Sequence, residues 1–193
     1  MTALLRPLSL DVPEPDPSEG REERDCIAST LAGDTAAYGQ LVRMHQSRVF
    51  NFIYQMTRQR QDAEDLAQQT FIKAYRNLQS VDPSRPLINW LLTIARHTTL
   101  NHFRDTKRWS ELALDPTDSD PSPARAAELR ETESGIWERA RARLSAREFE
   151  VMWLRFAEEL STRETARIVG LTETHVKVLV FRARRALAQE GIA

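Results

Sequence analysis

The sequence predicts an all-α protein of two small helical domains joined by a flexible acidic linker, the C-terminal domain being a helix-turn-helix. Three observations predict this. Apolar residues recur at helical intervals through most of the chain, and the alternation expected of strands is nearly absent. Glycine is scarce, with 6 in 193 residues. Charge is segregated: residues 1–25 carry a net -4, 26–108 a net +5, 109–134 a net -5 and 135–193 a net +3, although the whole chain sums to -1. Two basic bodies are therefore separated and preceded by acidic stretches, and basic bodies favour a polyanionic partner through counterion release.

The domain limits follow from composition. Residues 1–25 are rich in proline and acid and bury too little apolar surface to offset ordering, so a disordered acidic tail is expected there. Residues 110–130 have the same character and are expected to form the flexible linker. The folded domains are then 26–109 and 131–193. Cys26 is the single cysteine, so neither an intrachain disulfide nor a cysteine-based zinc cluster can form. The chain shows no apolar run of membrane-spanning length and no secretory leader, so a cytoplasmic protein without membrane insertion is expected.

In the first domain Asp34 stands where a helix N-cap belongs, and Tyr38, Leu41, Val42, Val49, Ile53 and Met56 follow at helical spacing. The next helix carries the apolar stripe Ala63, Leu66, Ala67, Thr70, Phe71, Ala74, Tyr75 and Leu78. Its opposite face holds Asp62, Glu64, Asp65, Gln68, Gln69 and Lys73. Pro83 and Pro86 break the chain. A further helix from about Leu87 to Arg104 is predicted to turn Trp90, Leu91, Ile94 and Ala95 to the core, and Arg96, His97, Asn101 and Arg104 to a polar side.

The second domain opens with a basic amphipathic helix from about Gly135. Ser145 with Glu148, and Ser161 with Glu164, are capping-box pairs that mark two further helix starts. The helix from Thr162 is predicted to end at Gly170 in a left-handed turn residue. A last helix, from about Glu173 to Gln189, brings Thr172, Glu173, Thr174, His175 and Lys177 to its first turns. A short helix, a glycine turn and a longer helix make the arithmetic of a helix-turn-helix, whose second helix enters the major groove and offers its N-terminal side chains to base edges. Arg182, Arg184 and Arg185 on later turns suit phosphates.

These motifs resemble the extracytoplasmic-function sigma factors of bacterial RNA polymerase. Residues 145–188, with S-x-x-E-x-A at Ser161 and the basic last helix, resemble the family's promoter-binding C-terminal domain. Residues 62–78, DAEDLAQQTFIKAYRNL, resemble its polymerase-binding helix, and residues 89–104, NWLLTIARHTTLNHFR, the helix that meets the minus-ten element. The resemblance covers about residues 28–108 and 135–189. It implies a factor that binds core RNA polymerase, recognises promoter DNA and promotes initiation in response to stress or an envelope signal, with an anti-sigma factor as a further partner. It implies polymerase docking by Asp62, Glu64, Asp65, Gln68, Gln69 and Lys73. It implies minus-ten contacts from Arg85, Arg96, Asn101, Arg104, Lys107 and Arg108. Minus-thirty-five contacts fall to Arg163, Thr172, Glu173, Thr174, His175, Lys177 and Arg182.

Two departures stand out. Val178, Leu179 and Phe181 replace polar groups common in the family and, with Val176 and Val180, make the last helix apolar almost all round, which predicts an extra apolar contact there, to the preceding helix, the other domain or an inhibitory partner. Asp105 sits within the basic end of the first domain. Three alternatives remain: an enzyme, a helix-turn-helix regulator acting without polymerase, and a degenerate sigma-like scaffold. Catalysis is disfavoured because His45, His97, His102 and His175 form no metal-ligand spacing and no phosphate or nucleophile motif occurs. No cofactor or metal is expected.

Overall fold

The computed structural model describes residues 17–82, 84–106 and 133–188. Among these, the regular structure is eight α-helices and one 3-10 turn. The chain divides into two compact units, one built on the helices up to Asp105 and one on the helices after it.

In the first unit, α1 (Pro17–Leu31) and α3 (Arg60–Arg76) both pack on α2 (Thr35–Thr57), and α4 (Leu87–Thr106) follows a 3-10 turn at Leu78–Ser80. Asp34 caps α2 as predicted, its Oδ1 accepting the Ala36 N–H at 2.8 Å and the Ala37 N–H at 3.3 Å. The α2 core face is Ala37, Leu41, His45, Val49, Phe52, Ile53 and Thr57. On α3 the buried stripe is Ala63, Leu66, Thr70 and Ala74, continued by Leu78.

Helix α1 corrects the sequence expectation. Residues 17–25 fall in the expected disordered tail, yet the helix begins at Pro17 and runs through them. Proline suits the first helical position, and the anchoring is tertiary: Cys26, Ile27 and Thr30 are buried, and the Cys26 thiol donates to Gln40 Oε1 at 3.1 Å. The rest of the expected tail, residues 1–16, and the expected linker, 110–130, lie outside the described residues.

Glu23 ties three elements together. Its Oε1 accepts the Leu87 N–H at 2.9 Å, and its Oε2 lies 3.0 Å from His45 Nε2, off the line of a well-aligned hydrogen bond. Burial pushes this carboxyl up, but the His45 ring, the Leu87 amide and the nearby Arg24 charge together outweigh it and hold the group below its ordinary value.

In the second unit, α5 (Glu133–Arg143), α6 (Ala146–Phe156) and α8 (Glu173–Ala188) pack together, with α7 (Thr162–Val169) before α8. Ala140, Leu144, Phe149, Met152, Ala183 and Leu187 form the core, and Trp137 and Trp153 pack against it with ring centroids 4.8 Å apart. The Arg141 guanidinium lies 4.0 Å from the Phe149 ring centroid. The capping box at Ser145 is complete: Glu148 N–H donates to Ser145 Oγ, and Ser145 N–H donates to Glu148 Oε2 at 3.1 Å.

The core and the Glu23 contacts can each be checked by unfolding. Phe52→Ala empties a fully buried site on α2 and is expected to cost about 3–5 kcal/mol in denaturant unfolding. A carboxylate held low contributes stability that is present above its ordinary value of 4.5 and is lost as pH falls through the lowered folded value. Glu23→Gln should therefore lower stability at neutral pH by about 1–3 kcal/mol. The gap to wild type should close on acidification, and a gap that persists undiminished in acid contradicts this account.

Candidate nucleic-acid and partner interfaces

The outward side of α3 is the first candidate face. Glu64, Asp65, Gln68, Gln69 and Lys73 are exposed there. Glu64 pairs with Arg60 at 2.8 Å, and Lys73 Nζ donates to Thr98 Oγ1 on α4 at 3.0 Å. Asp62 differs: it is half-buried, 3.4 Å from His102 Nε2 on α4, so it braces the two helices as much as it faces outward. Two apolar residues outside the predicted set join this face. Ile72 is 51% exposed and follows Asp65 and Gln68 along one helical row. Tyr75 is 46% exposed, although the sequence places it in the buried stripe. The ring lies edge-on to Tyr38, whose hydroxyl donates to the Phe71 carbonyl at 2.5 Å and is pushed up to about 12, chiefly by burial. The sequence does carry a signal for Ile72: it sits half a turn from the stripe of Ala63, Leu66, Thr70 and Ala74.

The second candidate face lies on α4 and the turn before it. Asp82 organises that turn: its Oδ1 accepts from the Ser84 N–H at 3.0 Å and the Ser84 hydroxyl at 2.6 Å, and its Oδ2 is 3.0 Å from Arg85 Nε. Arg85 is exposed. Asn101 and Arg104 are exposed too, and Arg104 donates to Asn101 Oδ1 at 3.1 Å. Arg96 is a correction. The sequence places it on the polar side, but it is 6% exposed. The buried face of α4 runs through Leu87, Ile88, Leu91, Leu92, Ala95, Thr99 and Phe103, and Arg96 lies one turn beyond Leu92 on it. Of the predicted core stripe, Leu91 and Ala95 are buried, but Trp90 and Ile94 are only half-buried. They share one helical row with the exposed His97, Asn101 and Arg104. Trp90 thus belongs to the polar face rather than to the core. Lys107 and Arg108 lie outside the described residues.

The third candidate face is the helix-turn-helix. Ser161 and Glu164 cap α7 reciprocally, with Ser161 N–H donating to Glu164 Oε2 at 2.8 Å and Glu164 N–H to Ser161 Oγ at 3.2 Å. Upstream, Arg155 donates to the Leu160 carbonyl; burial lowers this guanidinium's pKa and Glu164 partly restores it. Gly170 closes α7 at φ 68°, as predicted, and the Leu171 N–H reaches back to the Ala166 carbonyl at 2.9 Å. Thr172 Oγ1 then accepts the His175 N–H at 3.2 Å and starts α8. Arg163, Thr172, Glu173, Thr174, His175, Lys177 and Arg182 are all exposed. Of the extra apolar face, only part is covered within this chain. Leu179 is buried, but Val178 is 40% and Phe181 67% exposed, in one outward row with Thr174 and Arg185.

Among the described residues, no group of His, Cys, Asp and Glu could hold a metal ion, and no helix is long and apolar enough to cross a membrane. The architecture is that of a helical protein carrying a helix-turn-helix, a motif whose second helix suits a DNA groove. Two family models match the chain: Sigma-70 region 2 over residues 41–109 and Sigma-70, region 4 over residues 134–187. The chain is 30% identical over 177 residues to the ECF RNA polymerase sigma factor BldN of Streptomyces coelicolor, covering 89% of this chain and 67% of that one. It is 29% identical over 153 residues to the ECF RNA polymerase sigma factor SigM of Bacillus subtilis, covering 77% and 91%. Among solved structures it is similar to CnrH, determined in complex with the cytosolic domain of CnrY, with a TM-score of 0.63, 26% identity and coverage of 87% and 96%. The chain belongs to the extracytoplasmic-function family of RNA polymerase sigma factors, a non-enzymatic family of transcription initiation factors.

The exposure of α8 yields a contrast that thermal or denaturant melting can check. Phe181→Ser is expected to change stability by less than about 0.5 kcal/mol, whereas Leu154→Ala, at a fully buried position, should cost about 2–5 kcal/mol.

Proposed function

We propose that this chain directs core RNA polymerase to promoters by three separate surfaces. The exposed Glu64, Asp65, Gln68 and Gln69 of α3, with Ile72 on the same side, form the polymerase-docking face. Carboxylates steer a basic partner and an apolar side chain supplies the buried contact. Arg85, Asn101 and Arg104, with the half-buried ring of Trp90, form the minus-ten face. Cationic groups beside an aromatic ring suit an opened single strand, whose bases stack on aromatic side chains. Thr172, Glu173, Thr174, His175 and Lys177 at the start of α8 meet minus-thirty-five base edges, while Arg163 and Arg182 hold phosphates. Asp62, 3.4 Å from His102 Nε2, also braces α3 against α4.

The observation that carries this reading is the helix-turn-helix, whose seven predicted contact residues are all exposed. The chain does no chemistry of its own, needs no cofactor and works in the cytoplasm. Its solved relative CnrH was determined with the cytosolic domain of CnrY, which supports an anti-sigma partner here.

Run-off transcription of genomic fragments with core polymerase, with and without the chain, tests the proposal. Specific start sites should appear only when the chain is present. Glu64→Lys with Asp65→Lys should weaken polymerase association at least about tenfold, roughly 1.4 kcal/mol, without changing the melting profile. Lys177→Ala should reduce the salt dependence of minus-thirty-five binding by about one phosphate contact if it meets the backbone, and relax sequence preference if it meets a base. Polymerase that remains indifferent to start sites with the chain bound overturns the assignment.

A further inference from the structure

We infer that Glu23 is a positioning residue for the minus-ten face: from α1 it caps the first amide of α4 and holds the downstream end of the turn that carries Ser84 and Arg85. The inference rests on the assignment of that turn to minus-ten recognition.

The need for such a residue follows from local chemistry. A helix normally begins at a residue whose side-chain oxygen accepts one of the first free amides. Here the residue before α4 is Pro86, which has no side-chain acceptor and no N–H. Leu87 is buried, so its amide is poorly placed to find water. Glu23 supplies the missing acceptor from 64 residues away, at 2.9 Å, and brings negative charge to the positive end of the helix dipole. The second carboxylate oxygen lies 3.0 Å from His45 Nε2 on α2, a further contact on the same side chain.

The turn itself is braced internally. Asp82 holds the Ser84 amide and hydroxyl and the Arg85 side chain, and the Arg85 N–H donates to the Asp82 carbonyl at 3.1 Å. These bonds tie Asp82, Ser84 and Arg85 to one another. The upstream end is fixed where Val81 N–H donates to the carbonyl of the buried Leu78, at 3.1 Å. The downstream end is Leu87, which Glu23 holds. Loss of Glu23 therefore releases one end of the turn while leaving its residues intact.

The test uses holoenzyme made from the full chain, on a promoter fragment recovered by run-off transcription, with 2-aminopurine in the opened segment reporting strand separation. Glu23→Ala should slow opening about tenfold with polymerase affinity unchanged, and Glu23→Gln, which keeps an acceptor, should recover most of the rate. Arg85→Ala should slow opening too, and the double variant should be no slower than the worse single variant, because both act through one turn. Amide exchange in the free chain should rise about tenfold at Leu87 and Arg85 and stay unchanged from Leu91 onward. If Glu23→Ala is too unstable to purify, Glu23→Asp, which withdraws the carboxylate by one methylene, should show the same pattern in smaller measure. Normal opening by the Glu23 variants with slow opening by Arg85→Ala, or additive effects in the double variant, overturns the inference alone. Normal opening by Arg85→Ala overturns the assignment of the turn as well.

Discussion

The first amides of a helix have no partner within it, and the rest of the structure depends on the few side-chain oxygens that satisfy them. Asp34 starts α2, Ser145 starts α6, Ser161 starts α7 and Thr172 starts α8. Glu23 does the same for α4 from a distance. Whatever accepts these amides also fixes the direction in which the helix leaves, and hence the side chains it presents.

This explains which parts of the fold are legible in the sequence. Caps within four residues of the helix they start are local, so Asp34, the two serine-glutamate boxes and the Gly170 turn can be read directly. The cap on α4 is not local, and nothing near Pro86 reveals it. Helix α1 is hidden for a related reason. Its composition resembles a solvated tail, and what orders it is burial of Cys26, Ile27 and Thr30 and the two contacts of Glu23, all of which depend on partners far along the chain.

The errors on the candidate faces come from phase rather than from type. On α4 the apolar residues outnumber what one face can hold, so the predicted stripe takes in Trp90 and Ile94 beside the buried Leu91 and Ala95 and leaves out Leu92. That shift of phase puts Arg96, one turn beyond Leu92, on the polar side and Trp90 in the core. On α3 the stripe is nearly right, and Tyr75 at its edge turns outward. On α8 the apolar surplus at Val178 and Phe181 predicts an extra contact, and because a buried row at Val176, Leu179, Ala183 and Leu187 already satisfies the helix within the chain, that surplus is left outward. The polar candidates at the start of α8 are unaffected, because the turn before it sets their phase.

The aromatic core of the second unit has an optical consequence. Of the four tryptophans in the chain, Trp137 and Trp153 stand in contact beside Phe149, and the Trp153 indole N–H donates to Glu158 Oε1 at 3.2 Å. Emission from these paired indoles would follow the integrity of the helix-turn-helix body. A chain with Trp90 and Trp109 both replaced would let an observer watch that body melt without interference from the other.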